Sequence, residues 1–148
     1  MKFVVIGAGG TGGPIGAYMT RAGKDVTLIA RGSHLQAMRE QGITLRKTWG
    51  KTEVIDPVKV SSMDEFQGTA DVIFVCVKGY SLEETIPFIR RISGENTVVI
   101  PILNIYGTGG RLQEQLSGIL VTDGCIYISA NLEGAGQLLM HGPIFRIV

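Results

Sequence analysis

The chain has 148 residues, 45% of them hydrophobic and 18% charged, with a formal net charge of +1. That size and apolar content suit one globular domain with a sizeable core and exclude a disordered chain. The near-neutral balance gives no reason to expect nucleic acid or an acidic membrane surface as a partner.

Phe3–Ile6 is too short for the apolar region of a signal peptide, and no stretch reaches transmembrane length. Cys76 and Cys125 are too few for a disulfide framework and have no ligand neighbours in sequence, so a cytoplasmic protein without a metal is expected. Lys2–Ile6 predicts a first strand. Helical spacing of Ile15, Met19 and Ala22 predicts a helix from Gly12 to Ala22, with Pro14 in its first turn and Gly23 at its end. Asp25–Ala30 reads as a second strand, and Ser33-His-Leu-Gln36 as a capping box opening a helix that Gly42 stops. Ile43–Arg46 and Thr52–Ile55 alternate as a hairpin around Trp49-Gly50. Val58–Val60 reads as a short strand and Met63–Phe66 as a helical turn. Val72–Val77 is nearly all apolar, which predicts a central strand with Cys76 as a small buried hydrophobe.

Ser81-Leu-Glu-Glu84 resembles a second capping box, followed by the stripe Leu82, Ile86 and Ile89; Pro87 predicts a kink or a break there. Thr97–Ile102 is the next strand, and Leu112 and Leu116 mark a short helix. Ile119–Val121, Cys125–Ala130, Gln137–Met140 and Ile144–Val148 then read as separate strands punctuated by glycines. Alternating strands and helices imply an α/β, Rossmann-like doubly wound fold over residues 1–148, with a mainly parallel sheet and an additional C-terminal strand-rich segment.

Between the first strand and helix stands Gly7-Ala8-Gly9-Gly10-Thr11-Gly12, a G-x-G-x-x-G in the strand–turn–helix order of a dinucleotide site. Gly7 permits the tight turn, Gly9 removes a Cβ that would hold a pyrophosphate away, and Gly12 lets the helix lie close to the sheet. The free N–H groups at the helix start would face the phosphates. No acid stands at positions 29 to 31, where one would take the 2′-hydroxyl of NAD; Arg31 stands there instead and suits the 2′-phosphate of NADP. Lys78 and Asn104 each follow a predicted strand at its carboxyl end, the ligand side of an open α/β sheet. Lys78 could meet a phosphate, and the Asn104 amide could meet a cofactor ribose or a substrate oxygen. His34 and His141 have no nucleophile arrangement around them and read as loop or surface residues.

Arg31, Lys78 and Asn104, in this order after this glycine loop, resemble the ketopantoate reductase (2-dehydropantoate 2-reductase) family. So do Val75-Cys-Val-Lys78-Gly-Tyr, Arg31-Gly-Ser-His-Leu through Gly42-Ile-Thr-Leu, Pro101-Ile-Leu-Asn104, and Tyr127-Ile-Ser-Ala130 with Gly136 and His141-Gly-Pro143. The resemblance implies a pyrophosphate on Gly7–Gly12, an NADP(H) 2′-phosphate end on Arg31 and Lys78, and Asn104 touching both cofactor and substrate. Ala130 would lie against the cofactor through its backbone. The implied reaction is hydride transfer from NADPH to the ketone of 2-dehydropantoate, a 2-keto acid, giving pantoate for the pantothenate and coenzyme A route.

Two departures stand out. Ile105 replaces the glycine usual after the asparagine, which leaves the substrate open. The family's helical second domain, which carries the lysine acid and the substrate-gripping carboxylate, has no counterpart in these residues, so no catalytic residue is assigned here. Weak or absent turnover of the chain alone is expected, as is self-association through the face that domain would cover. A stand-alone dinucleotide sensor and an S-adenosylmethionine-binding domain remain alternatives, although both favour an acid after the second strand.

Overall fold

The computed structural model describes residues 1–148. β1 (Lys2–Ile6) leads through the glycine loop into α1 (Gly12–Arg21), and β2 (Asp25–Ile29) into α2 (Gly32–Gln41). β3 (Ile43–Lys47) and β4 (Glu53–Ile55) form the expected hairpin, followed by β5 (Lys59–Ser61) and β6 (Ala70–Val75). Then come a 3-10 turn (Gly79–Ser81), α3 (Leu82–Ile92), β7 (Ser93–Pro101), α4 (Thr108–Gln115), β8 (Leu120–Val121), β9 (Ile126–Gly134) and β10 (Gln137–Ile147).

Six strands form one parallel sheet in the order β5-β2-β1-β6-β7-β8. This is the doubly wound order, with the chain reversing direction across the sheet between β1 and β6. The period-two alternation of β1 feeds two cores, one on each face. Val4 and Ile6 pack with Ile86, Ile89 and Ile92 of α3, and Val5 packs with Ile15 and Ala17 of α1. Ile89 and Ile92 are fully buried, each worth about 1.5–3 kcal/mol against exposure.

The strand-rich segment is a second, mixed sheet in the order β4-β3-β10-β9. β3 pairs in parallel with β10, and β10 antiparallel with β9. Its apolar face, with Ile43, Leu45, Leu138 and Met140, joins the α1 core. α1 is therefore covered by sheet on two sides, which explains why Gly12 through Ala17 are all buried.

Four expectations need correction. The last two predicted strands are one: β10 runs through Gly142-Pro143, and a register shift between Met140 and Phe145 absorbs the extra residues as a bulge. Neither capping box forms. Arg31, not Ser33, is the N-cap of α2, and Ser81 caps α3 without a side-chain bond. Pro87 does not divide α3, which runs unbroken from Leu82 to Ile92. Pro87 and Glu83 are both exposed, so the carbonyl released by the missing N–H lies on the wet side. Finally, β6 stops at Val75, leaving Cys76 and Val77 at its mouth.

Candidate functional site

Gly7 has φ 95°, and its N–H donates to Ile29 O at 3.0 Å, locking the turn to the end of β2. A Cβ there would stand 2.9 Å from Cys76 O. A Cβ on Gly12 would overlap Gly7 O, so this glycine is what lets α1 start so close to the sheet. A Cβ on Gly9 would meet nothing within 4 Å, which makes Gly9 the open floor of the loop. A Cβ on Gly10 would overlap Ala130 O, so Gly10 serves the contact with β9. The N–H groups of Gly9, Gly10 and Thr11 have no backbone acceptor, while Gly13 N–H already bonds Gly9 O at 2.8 Å. Unpaired amides at a helix start are an anion cradle.

The loop opens into a cleft of about 850 Å³ at the carboxyl ends of β1, β2, β6 and β7. Of the residues singled out in sequence, Gly7, Ala8, Gly9, Gly10, Thr11, Arg31, Lys78, Asn104 and Ala130 all line it; Gly12 lies behind, in the packing. Arg31 is exposed in the extended N-cap position of α2, with its guanidinium 3.7 Å from Glu84 Oε1. Lys78 is exposed and caps the 3-10 turn, its carbonyl accepting from Ser81 N–H at 2.9 Å. Asn104 is exposed in the loop after β7. Ile105 does not adopt positive φ; Gly107, with φ 76°, takes that role at the N-cap of α4. The Ile105 side chain instead lies over Gly79, where an added Cβ would stand 2.5 Å from its Cδ1.

His34 corrects a sequence expectation. It is a half-buried residue of α2, neither loop nor surface, with Nδ1 accepting from Gly136 N–H at 2.9 Å and Nε2 at 2.8 Å from Ala8 O. Its position in the first turn after Arg31 was the only sequence signal. His141 stays exposed, 2.5 Å from Asn131 Oδ1. Glu84, read from sequence as a capping-box acid, instead faces Arg31 across the cleft mouth, a long-range pairing its position in the first turn of α3 does not signal. Cys76 lines the cleft, and burial pushes its thiol up to about 12.

Residues 3–147 match the family described as ketopantoate reductase PanE/ApbA. The chain belongs to that family. An uncharacterized oxidoreductase, YkpB, of Bacillus subtilis is 30% identical over all of this chain and 48% of its own length. The 2-dehydropantoate 2-reductase of Porphyromonas gingivalis superposes with a TM-score of 0.86 at 32% identity, covering 99% of this chain and 53% of that one. D-mandelate dehydrogenase with NADH and anilino(oxo)acetate gives a TM-score of 0.86 at 26% identity, over 96% of this chain and 46% of that one. The chain thus spans about half the length of the relatives it matches. No helix is long and apolar enough to cross a membrane.

Proposed function

We propose that residues 1–148 form the NADPH-binding domain of a 2-dehydropantoate 2-reductase-like oxidoreductase. The observation that carries this reading is the convergence of unpaired loop amides, Arg31 and Lys78 on one cleft. The cleft fits a dinucleotide: Gly9 leaves open space where a pyrophosphate must approach, and two cations, Arg31 and Lys78, line the same cleft and suit a phosphate. When bound, the nicotinamide supplies the hydride that reduces the ketone of a 2-keto acid. The chain's own residues bind and orient. The loop amides hold the pyrophosphate, Arg31 and Lys78 the phosphorylated ribose, Ala130 the cofactor through its backbone, and Asn104 both cofactor and substrate.

No proton donor is assigned within the cleft. By family resemblance it comes from a second domain, so these residues alone turn over weakly; a positioned acid contributes roughly 10²–10⁴-fold. Glu84 favours a second reading, use of NADH. A carboxylate this near Arg31 can accept a ribose hydroxyl and repel a phosphate. Thermal-shift titration with NADPH and NADH decides between them, because a ligand that binds only the folded state raises the melting temperature. A larger shift with NADPH is expected. A larger shift with NADH would favour the Glu84 reading, and no shift with either would overturn both.

A further inference from the structure

We propose that His34 is a positioning residue for the dinucleotide, acting as a neutral two-ended bridge that sets three walls of the cleft at once. The proposal rests on the dinucleotide reading above.

The two partners of the ring fix its tautomer. Gly136 N–H can only donate, so Nδ1 carries no proton; Ala8 O can only accept, so the proton sits on Nε2 and donates to it. The imidazole thus satisfies one donor and one acceptor from segments far apart in sequence.

Each end has a consequence. Ala8 O belongs to the peptide that leads into Gly9, the open floor of the loop. By accepting the hydrogen bond from His34 Nε2–H, that carbonyl is tied to α2, and the Ala8–Gly9 peptide plane is fixed. Gly136 sits with φ 71° in the turn between β9 and β10. Its N–H is held by His34 and its carbonyl by Thr44 N–H at 2.9 Å, so the turn is fastened at both faces. That turn sets β9, whose Ala130 lines the cleft opposite Gly10. The third wall is α2 itself: His34 lies in its first turn, three residues after Arg31, so the same ring fixes the helix start that presents the guanidinium.

The test compares His34→Ala and His34→Gln in the full chain. Glutamine keeps one donor and one acceptor at the end of a similar reach; alanine keeps neither. NADPH binding is read by fluorescence titration, the fold by melting temperature without ligand, and the ring by imidazole nitrogen NMR. H34A is expected to weaken NADPH on the order of tenfold, as loss of a part-buried hydrogen bond implies, and H34Q to recover most of it. The wild-type ring is expected as the Nε2–H tautomer. Wild-type affinity in H34A, equal losses in the two variants, or an Nδ1–H tautomer would overturn the proposal. If H34A does not fold, H34Q affinity and the tautomer still decide. A wild-type chain that binds neither NADPH nor NADH would remove the dinucleotide reading and this role with it, an outcome separate from normal binding by H34A.

Discussion

The backbone of Gly10 lies against the carbonyl of Ala130 so closely that a Cβ on Gly10 would stand 2.9 Å from the carbonyl carbon and overlap the oxygen. The obstacle is main chain in β9, and it cannot swing aside as a side chain tip would. Gly10→Ala is therefore expected to destabilise by about 1–3 kcal/mol, as overpacking does. Gly9→Ala meets open space and is expected to keep its melting temperature while losing NADPH affinity. Melting curves and NADPH titrations of the two variants check the contrast; equal melting losses would mean that the loop is not divided in this way.

Arg31 and Glu84 face each other at the cleft mouth, 3.7 Å apart. Arg31→Ala is expected to weaken NADPH by about 10–100-fold, the range of a charge-assisted bond, and NADH by much less. Glu84→Gln is expected to tighten NADPH by a few-fold, since it removes a carboxylate that competes with the phosphate. Paired binding constants for both cofactors check this. Identical losses for NADPH and NADH in Arg31→Ala would show that the guanidinium does not read the phosphate.

Cys76 and Cys125 are expected to differ in reactivity. Cys125 is exposed, whereas burial pushes the Cys76 thiol up to about 12, so it holds almost no thiolate near neutral pH. Iodoacetamide at about pH 7.5 is expected to label Cys125 first and Cys76, half-buried at the cleft wall, much more slowly. Peptide mapping by mass spectrometry reads the two sites, and prior labelling of Cys76 would contradict its desolvation.

Acid should loosen the second sheet. Hydrogen bonding from Arg46 lowers the Glu133 pKa, and hydrogen bonding from Lys47 lowers that of Glu53, both from an ordinary value of 4.5. The folded state therefore holds these carboxylates ionised to lower pH than the unfolded state does. Their stabilisation is fully present above the ordinary value and is lost as pH falls below it through the depressed folded values. The Arg46–Glu133 pair is largely exposed and the Lys47–Glu53 pair partly buried, so the first is small and salt-sensitive and the second less easily screened. Urea midpoints of wild type and Glu133→Gln between pH 6 and 3 check the sign: the variant should lose less on acidification, and parallel curves would remove Glu133 from the account.

Local signals carried the nucleotide-binding half of the fold. The run Lys2–Ile6, the glycines from Gly7 to Gly12, and Arg31 after β2 all act within a few residues, and the structure has strand, loop and helix where their spacing puts them. Lys78 and Asn104 could be placed on the cleft because strand ends in a parallel sheet point one way. The second sheet was harder to read. β3 and β10 pair in parallel from distant parts of the chain, and Gly142-Pro143 looks like a strand break when it is a bulge. The capping boxes failed because alternatives exist for a helix start: an extended Arg31 begins α2, and a 3-10 turn leads into α3. His34 was invisible because its partner Gly136 lies 102 residues away, and nothing local marks such a bond.

That separation bears on the order in which the protein can take shape during synthesis. Ile43 and Leu45 leave the ribosome long before Leu138 and Met140, against which they are buried. At about 5–20 residues per second, β3 waits several seconds with one edge unpaired, although α1, already synthesised, can cover part of its apolar face. The hairpin with β4 shields only one edge of β3. Over that interval the open edge of β3 is a template on which a wrong strand could pair.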